Sequence, residues 1–253
     1  GNTGNSFAPH IHFEYRDNRS VPLNPLTMAF ELEDQIMPVA RELAVIPLSQ
    51  NAMVNASPLT QTFPLFRDKS GVYHFPDTIS VFGEFGFAMN VVDKREGTNN
   101  VYQFHRAELI VDGNLEFELS YDRIPFNQGK FAKTMIEYDL KRKNLGEFQK
   151  LYRLPEHRKI SIHSLDKSGI LGLAPGVHSV EIRIFDAHGN KTTIKGTVAA
   201  TFPMTLEASE IFRDNKVVTL ALSPKRGGLS ILDAVVYSFT KYGFADKKVE
   251  IIH

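Results

Sequence analysis

Residues 177–198, VHSVEIRIF-DAHGN-KTTIKGTV, decide the fold class. Val180, Ile182 and Ile184 alternate with Glu181 and Arg183, the period of a strand with one face on a core and the other in water. Asp186-Ala187-His188-Gly189-Asn190 supplies the residues of a tight turn, and Lys191–Val198 returns as a second strand. The same grammar recurs upstream. Val101–Val111 and Leu115–Tyr121 flank Asp112-Gly113, a strong two-residue hairpin signal. Val39–Leu48 reads as a strand that follows an acidic, proline-containing linker, Glu31–Pro38. Thr78–Asp93 is rich in Val, Phe and Ile, and Gly83 and Gly86 within it predict a bend or bulge. Repeated short strands with glycine and asparagine turns define an all-β chain of β-sandwich type.

Composition narrows the partners. Lysine plus arginine equals aspartate plus glutamate at 29 each, so no global field favours nucleic acid or an anionic membrane. The chain has no cysteine, which excludes disulfides. No apolar run approaches the ~18 residues that a transmembrane helix needs.

Chemistry concentrates near the N-terminus, in Ala8-Pro9-His10-Ile11-His12-Phe13-Glu14. On a strand His10, His12 and Glu14 share one face, while Ile11 and Phe13 point to the other and are expected to pack inward. Two neighbouring imidazoles can give a metal one ligand and set a proton acceptor beside it.

The residues around this pair extend the pattern. Gly1-Asn2-Thr3-Gly4-Asn5-Ser6 precedes it, and Glu14-Tyr15-Arg16 and Val21-Pro22-Leu23-Asn24-Pro25-Leu26 follow. In that order the three strings resemble the closing segment of the M23 family of zinc metallopeptidases, the lysostaphin and LytM group. The resemblance covers residues 1 to about 26. It implies that His12 is a zinc (Zn2+) ligand and that His10 is a catalytic histidine that activates or orients the attacking water. It further implies hydrolysis of peptide bonds in peptidoglycan, and a periplasmic, envelope-associated or secreted location.

The family also requires an upstream His-x-x-x-Asp motif and a further histidine, and neither is found here. His74 and His163 are followed by aspartate at three residues rather than four, and the remaining histidines lack one at that spacing. A zinc site with His12 as its one assigned ligand holds metal poorly. The chain is therefore expected to be the downstream part of a longer enzyme and inactive by itself. Its expected organisation is a peptidase remnant at 1–27, a linker at 28–40, a β-sandwich at 41–201 and part of a second sandwich at 202–253. Strands in the last part are expected near Val217–Leu222, Ala234–Thr240 and Lys248–Ile252.

The region from about Arg41 to Ala200 is similar to the immunoglobulin-like domains that follow some M23 peptidase domains. The likeness rests on Ile46-Pro47-Leu48, Val111-Asp112-Gly113, Tyr152-Arg153-Leu154-Pro155 and Gly176-Val177-His178. Lys141-Arg142-Lys143 reads as a solvated loop face, and Lys225-Arg226-Gly227-Gly228 as a turn. Phe82, Phe85, Phe87, Phe104, Phe117 and Phe126 read as core. Asp186 and Asn190 offer oxygen atoms to calcium, although in a hairpin they serve first as turn residues. Two functions remain: a zinc endopeptidase of the cell wall, or a non-catalytic M23-like scaffold or binding protein. Retention of both His10 and His12 favours the enzyme. A purely adhesive sandwich leaves the first 26 residues unexplained.

Overall fold

The computed structural model describes residues 13–28, 33–155, 157, 162 and 166–201, together with strands at 206–213, 218–224, 236–240 and 243–247. The chain is all-β. It divides into two compact units, Gly1–Thr201 and Phe202–His253.

The first unit opens with β1 (Tyr15–Arg16), β2 (Pro22–Leu23) and one turn of helix, α1 (Pro25–Met28). There follow β3 (Val39–Pro47), β4 (Met53–Val54), β5 (Gln61–Pro64), β6 (Phe66–Arg67), β7 (Tyr73–His74), β8 (Ile79–Phe82) and β9 (Phe85–Val92). The hairpin β10 (Arg106–Val111) and β11 (Asn114–Ser120) leads to the short helices α2 (Gly129–Ala132) and α3 (Tyr138–Arg142). The unit ends with β12 (Gln149–Lys150), β13 (Gly176–Phe185) and β14 (Lys191–Ala200).

These strands form two principal sheets. One runs β11-β10-β13-β14-β7-β6, with β8 also paired to β14 and β4 to β8. The other runs β12-β9-β3-β5. Pairing is antiparallel except along β14, where β7 and β8 lie parallel to successive parts of the same ten-residue strand. One core joins the inner faces: Leu43, Val45, Phe87 and Met89 from one sheet meet Leu109, Phe117, Val180, Ile182, Ile184, Ile194 and Val198 from the other.

The sheets differ in what covers their outer faces, and the sequence pattern follows. In β13 the alternation of buried Val180, Ile182 and Ile184 with part-exposed Glu181 and Arg183 matches a sheet wet on one side. In the smaller sheet Leu140 of α3, Phe148 and Tyr152 cover the far side, packing on Ala44, Ile46 and Ala88. Strands β3 and β9 are thus dry on both faces, and they read as the near-continuous apolar runs Leu43–Ile46 and Phe85–Met89.

Several expectations are corrected. Thr78–Asp93 is two strands in different sheets, and Gly83, at φ +73°, turns the corner between them. A Cβ there would lie 2.9 Å from the Ala52 Cα, so only glycine fits. Strand β10 begins at Arg106, because the preceding chain is drawn aside into the bridge between Tyr102 and Asp93. Phe85, Phe87, Phe104 and Phe117 are core and Phe82 is half-buried, but Phe126 is 65% exposed. It starts a 3-10 turn outside the sheets, where Arg16 lies over its ring at 5.0 Å. The basic run Lys141-Arg142-Lys143 is not a loop: its first two residues end helix α3, where positive charge suits the helix dipole. Phe13 is exposed rather than inward, since no described strand pairs at that position.

In the second unit the described residues form two separate hairpins, β15 (Leu206–Arg213) with β16 (Val218–Pro224), and β17 (Val236–Thr240) with β18 (Gly243–Lys247). Strand β15 was not among the expected strands. The expected strand at Lys248–Ile252 and turn at Lys225–Gly228 lie outside the described residues.

Candidate functional site

His10 and His12 lie outside the described residues; the chain that follows them is described. Strands β1 and β2 pair as Tyr15↔Leu23 and Arg16↔Pro22. Asp17 holds their turn, its Oδ1 accepting from the N–H groups of Arg19 (2.8 Å) and Val21 (2.9 Å). Asn24 ties the segment to the sandwich. Its backbone N–H donates to the Asp122 carbonyl at 2.8 Å and its Nδ2 to the Tyr121 carbonyl at 3.3 Å. Leu23 bridges to Arg123. The Pro22–Leu26 segment is therefore seated on the chain just beyond β11.

Among the described residues of the first unit, three serine–histidine–aspartate groups occur. His74 Nε2 lies 2.7 Å from Asp68 Oδ2, and Ser70 Oγ donates to Asp68 Oδ1 at 2.6 Å. His105 and Ser120 meet Asp122 at 2.9 and 2.5 Å. His178 and Ser179 meet Asp112 at 2.6 and 3.2 Å. In each the carboxylate stands between serine and imidazole, whereas an activated nucleophile needs the imidazole in the middle. These groups are clamps on turns. The Ser70 hydroxyl and then His74 hold the Asp68 carboxyl far below its ordinary value, and His178 and then Ser179 hold Asp112 below its own.

A groove on the outer face of the larger sheet is lined by Glu108, Glu181, Arg183 and Lys195. Its charges neutralise one another through Arg106–Glu108 (2.7 Å), Arg183–Glu181 (2.6 Å), Arg183–Glu108 (3.3 Å) and Lys195–Glu181 (3.5 Å). That leaves no unbalanced field for a charged ligand.

A different concentration of charge lies where the linker, the end of β9 and the β13–β14 turn converge. Asp34 comes from the linker, Asp93 and Glu96 directly follow β9, and Asp186, His188 and Asn190 form the turn. Asp186 is 2% exposed, and its Oδ1 accepts from the N–H groups of His188 and Asn190, both at 2.8 Å. Asn190 Nδ2 donates to Asp186 Oδ2 at 2.7 Å and to the Asp34 carbonyl at 2.8 Å. Thr192 Oγ1 donates to the Pro38 carbonyl at 2.5 Å, fastening the linker a second time.

The side chain of Asp34 is 2% exposed, and His188 Nδ1 lies 3.5 Å from its Oδ2. One ligand atom each from Asp34, Asp186 and His188 falls within 4.8 Å of the other two. Burial, and after it the hydrogen bond to the Glu96 carboxyl, raises Asp34 above its ordinary value against the pull of the Ile36 N–H. Asp93 is 6% exposed, and its Oδ1 has no hydrogen-bond partner. Burial, reinforced by the charges of Asp186 and Asp34, pushes its carboxyl up to about 7. His188 Nε2 and Arg95 Nε are also buried without partners.

Of this group the sequence reading singled out Asp186 and Asn190 alone. In the sequence Asp34 reads as part of the acidic linker and Asp93 as the last residue of the Thr78–Asp93 stretch. The available signal was an aspartate directly after the apolar run of β9, a place where burial is expected.

No family model, curated protein or solved structure matches the chain.

Proposed function

We propose that this chain is a fragment of an M23-type zinc metalloendopeptidase that cuts peptide bonds in peptidoglycan outside the cytoplasm. The observation that carries the reading is the ordered string in residues 1–26, with His10 and His12 both retained. Under it His12 is a zinc ligand and His10 the catalytic histidine. A catalytic zinc takes three ligands from the protein, lowers the pKa of its water and polarises the scissile carbonyl. His12 alone does not make such a site. No other histidine or acid of this chain stands at the family's spacing, so the remaining ligands would come from a preceding His-x-x-x-Asp motif. The seating of Pro22–Leu26 beyond β11 agrees with sandwich domains that position a peptidase domain. Among the described residues no helix is long and apolar enough to cross a membrane.

The test uses the parent protein with its upstream coding region. His12→Ala is expected to lose bound zinc, and His10→Ala to keep zinc and lose peptidoglycan hydrolysis, as expected when a general base is removed. Equal zinc in wild type and His12→Ala would refute the ligand assignment. A parent with either upstream ligand replaced would favour the second reading, a non-catalytic envelope scaffold.

A further inference from the structure

Buried carboxylates are stable when paired, protonated or bound to a cation. Around the β13–β14 turn the pairing falls short. Asp34, Asp93, Asp186 and Glu96 converge there, and Arg95, beside Glu96, is the cation acting on it. Asp186 has its Oδ1 engaged by two backbone N–H groups and its Oδ2 by Asn190, so it is held rigidly. Asp34 is fixed by the Ile36 N–H at 3.1 Å and, through its carbonyl, by Asn190. The His188 ring stands beside Asp34.

We propose that Asp34, Asp186 and His188 bind a first-row divalent metal ion of the zinc type, with the buried Asp93 adding negative charge beside them rather than a ligand atom. Ligand atoms around such an ion, at roughly 2 Å from it, lie about 3–4 Å apart, and the three here fall within 4.8 Å of one another. An independent observation points the same way. Asp93 is more than nine-tenths buried, stands in the field of Asp34 and Asp186, and carries a carboxylate oxygen with no partner. The His188 ring presents Nδ1 to Asp34 at 3.5 Å. Imidazole with carboxylates suits zinc or manganese, whereas calcium selects oxygen alone.

The place of the site gives the ion a role. It joins the Asp34–Pro38 chain to the sandwich at a point already stitched by Asn190 and Thr192, so the bound ion adds a third attachment there. Its ligands are residues other than His10 and His12.

The experiment uses the full chain carrying His10→Ala and His12→Ala, stripped with chelator, so that any metal effect arises here. Zn2+ is expected to bind at one ion per chain and to raise the thermal midpoint. His188→Ala is expected to weaken Zn2+ by about tenfold or more. Asp186 also organises its own turn, so its removal could unfold the region, and Asp93→Asn is the cleaner second variant. It is expected to leave the metal-free chain at least as stable while reducing the Zn2+ shift. Absence of a Zn2+ shift, or a shift in both variants as large as that of the chain with Asp93 and His188 intact, overturns the proposal. So does a Ca2+ shift that His188→Ala leaves intact.

Discussion

Gly196 sits in the inward row of β14 between buried Ile194 and Val198, opposite Val180 on β13. A Cβ at this position would fall on the Phe75 ring, which is buried and held in place by the Phe75 N–H bond to the Lys195 carbonyl at 3.0 Å. Glycine in a strand interior weakens the strand, and it persists where another group needs the space. Gly196→Ala is therefore expected to destabilise the sandwich by about 1–3 kcal/mol through overpacking. Denaturant unfolding measures this, and Phe75→Leu in the same chain should recover part of the loss by coupling. A Gly196→Ala protein as stable as the parent would show that Phe75 can move aside. Asp93 poses the opposite problem at the same scale. Its space is filled, and what it lacks is a partner for one oxygen.

Among the elements, the β10–β11 hairpin shows how local turn chemistry becomes long-range attachment. Asp112 and Gly113 both take positive φ, +49° and +79°, as a two-residue hairpin requires. The Asp112 side chain then reaches the start of β13, accepting from the Ser179 N–H at 2.8 Å and meeting His178 Nδ1 at 2.6 Å. The Asp112 contact, and after it the Ala174 carbonyl, raises His178 above its ordinary 6.5, while His178 lowers Asp112 below its ordinary 3.8. The raised histidine stabilises the fold fully below 6.5 and loses that effect as pH rises through its folded value. The lowered aspartate stabilises it above 3.8 and loses that effect as pH falls through its folded value. The stability gap between wild type and Asp112→Asn is thus expected to be widest between those two values and to narrow well above 6.5. Thermal midpoints of both proteins across pH measure it. A gap that widens in alkali would contradict the ion pair. The other histidine–aspartate contacts, His74–Asp68 and His105–Asp122, are common to both proteins and cancel in the comparison.

For the molecule as a whole, the central core is closed by residues between Ala40 and Ala200, drawn from both sheets of the first unit. The outer face of the smaller sheet is closed by α3 and the chain after it, within the same unit. A chain ending at Thr201 keeps both closures of the core and is therefore expected to fold without residues 202–253 and to melt cooperatively. Near-ultraviolet circular dichroism of the tyrosines would follow it. Loss of cooperative melting on removal of residues 202–253 would show that the second unit is needed for folding.

The sequence by itself determined the all-β class, the β10–β11 and β13–β14 hairpins and the inward face of β13. Those features depend on alternation and turn residues within about ten positions. It also supplied the string around His10 and His12 on which the proposed peptidase activity rests. Tertiary structure alone decided that Thr78–Asp93 divides between two sheets and that β14 takes parallel partners on one edge. It also decided that Phe126 lies outside the core. The meeting of Asp34, Asp93, Asp186 and His188 belongs there too. Asp34 and Asn190 are 156 residues apart and touch through a side chain. No local period encodes a contact at that separation; it follows from how two sheets close over one core.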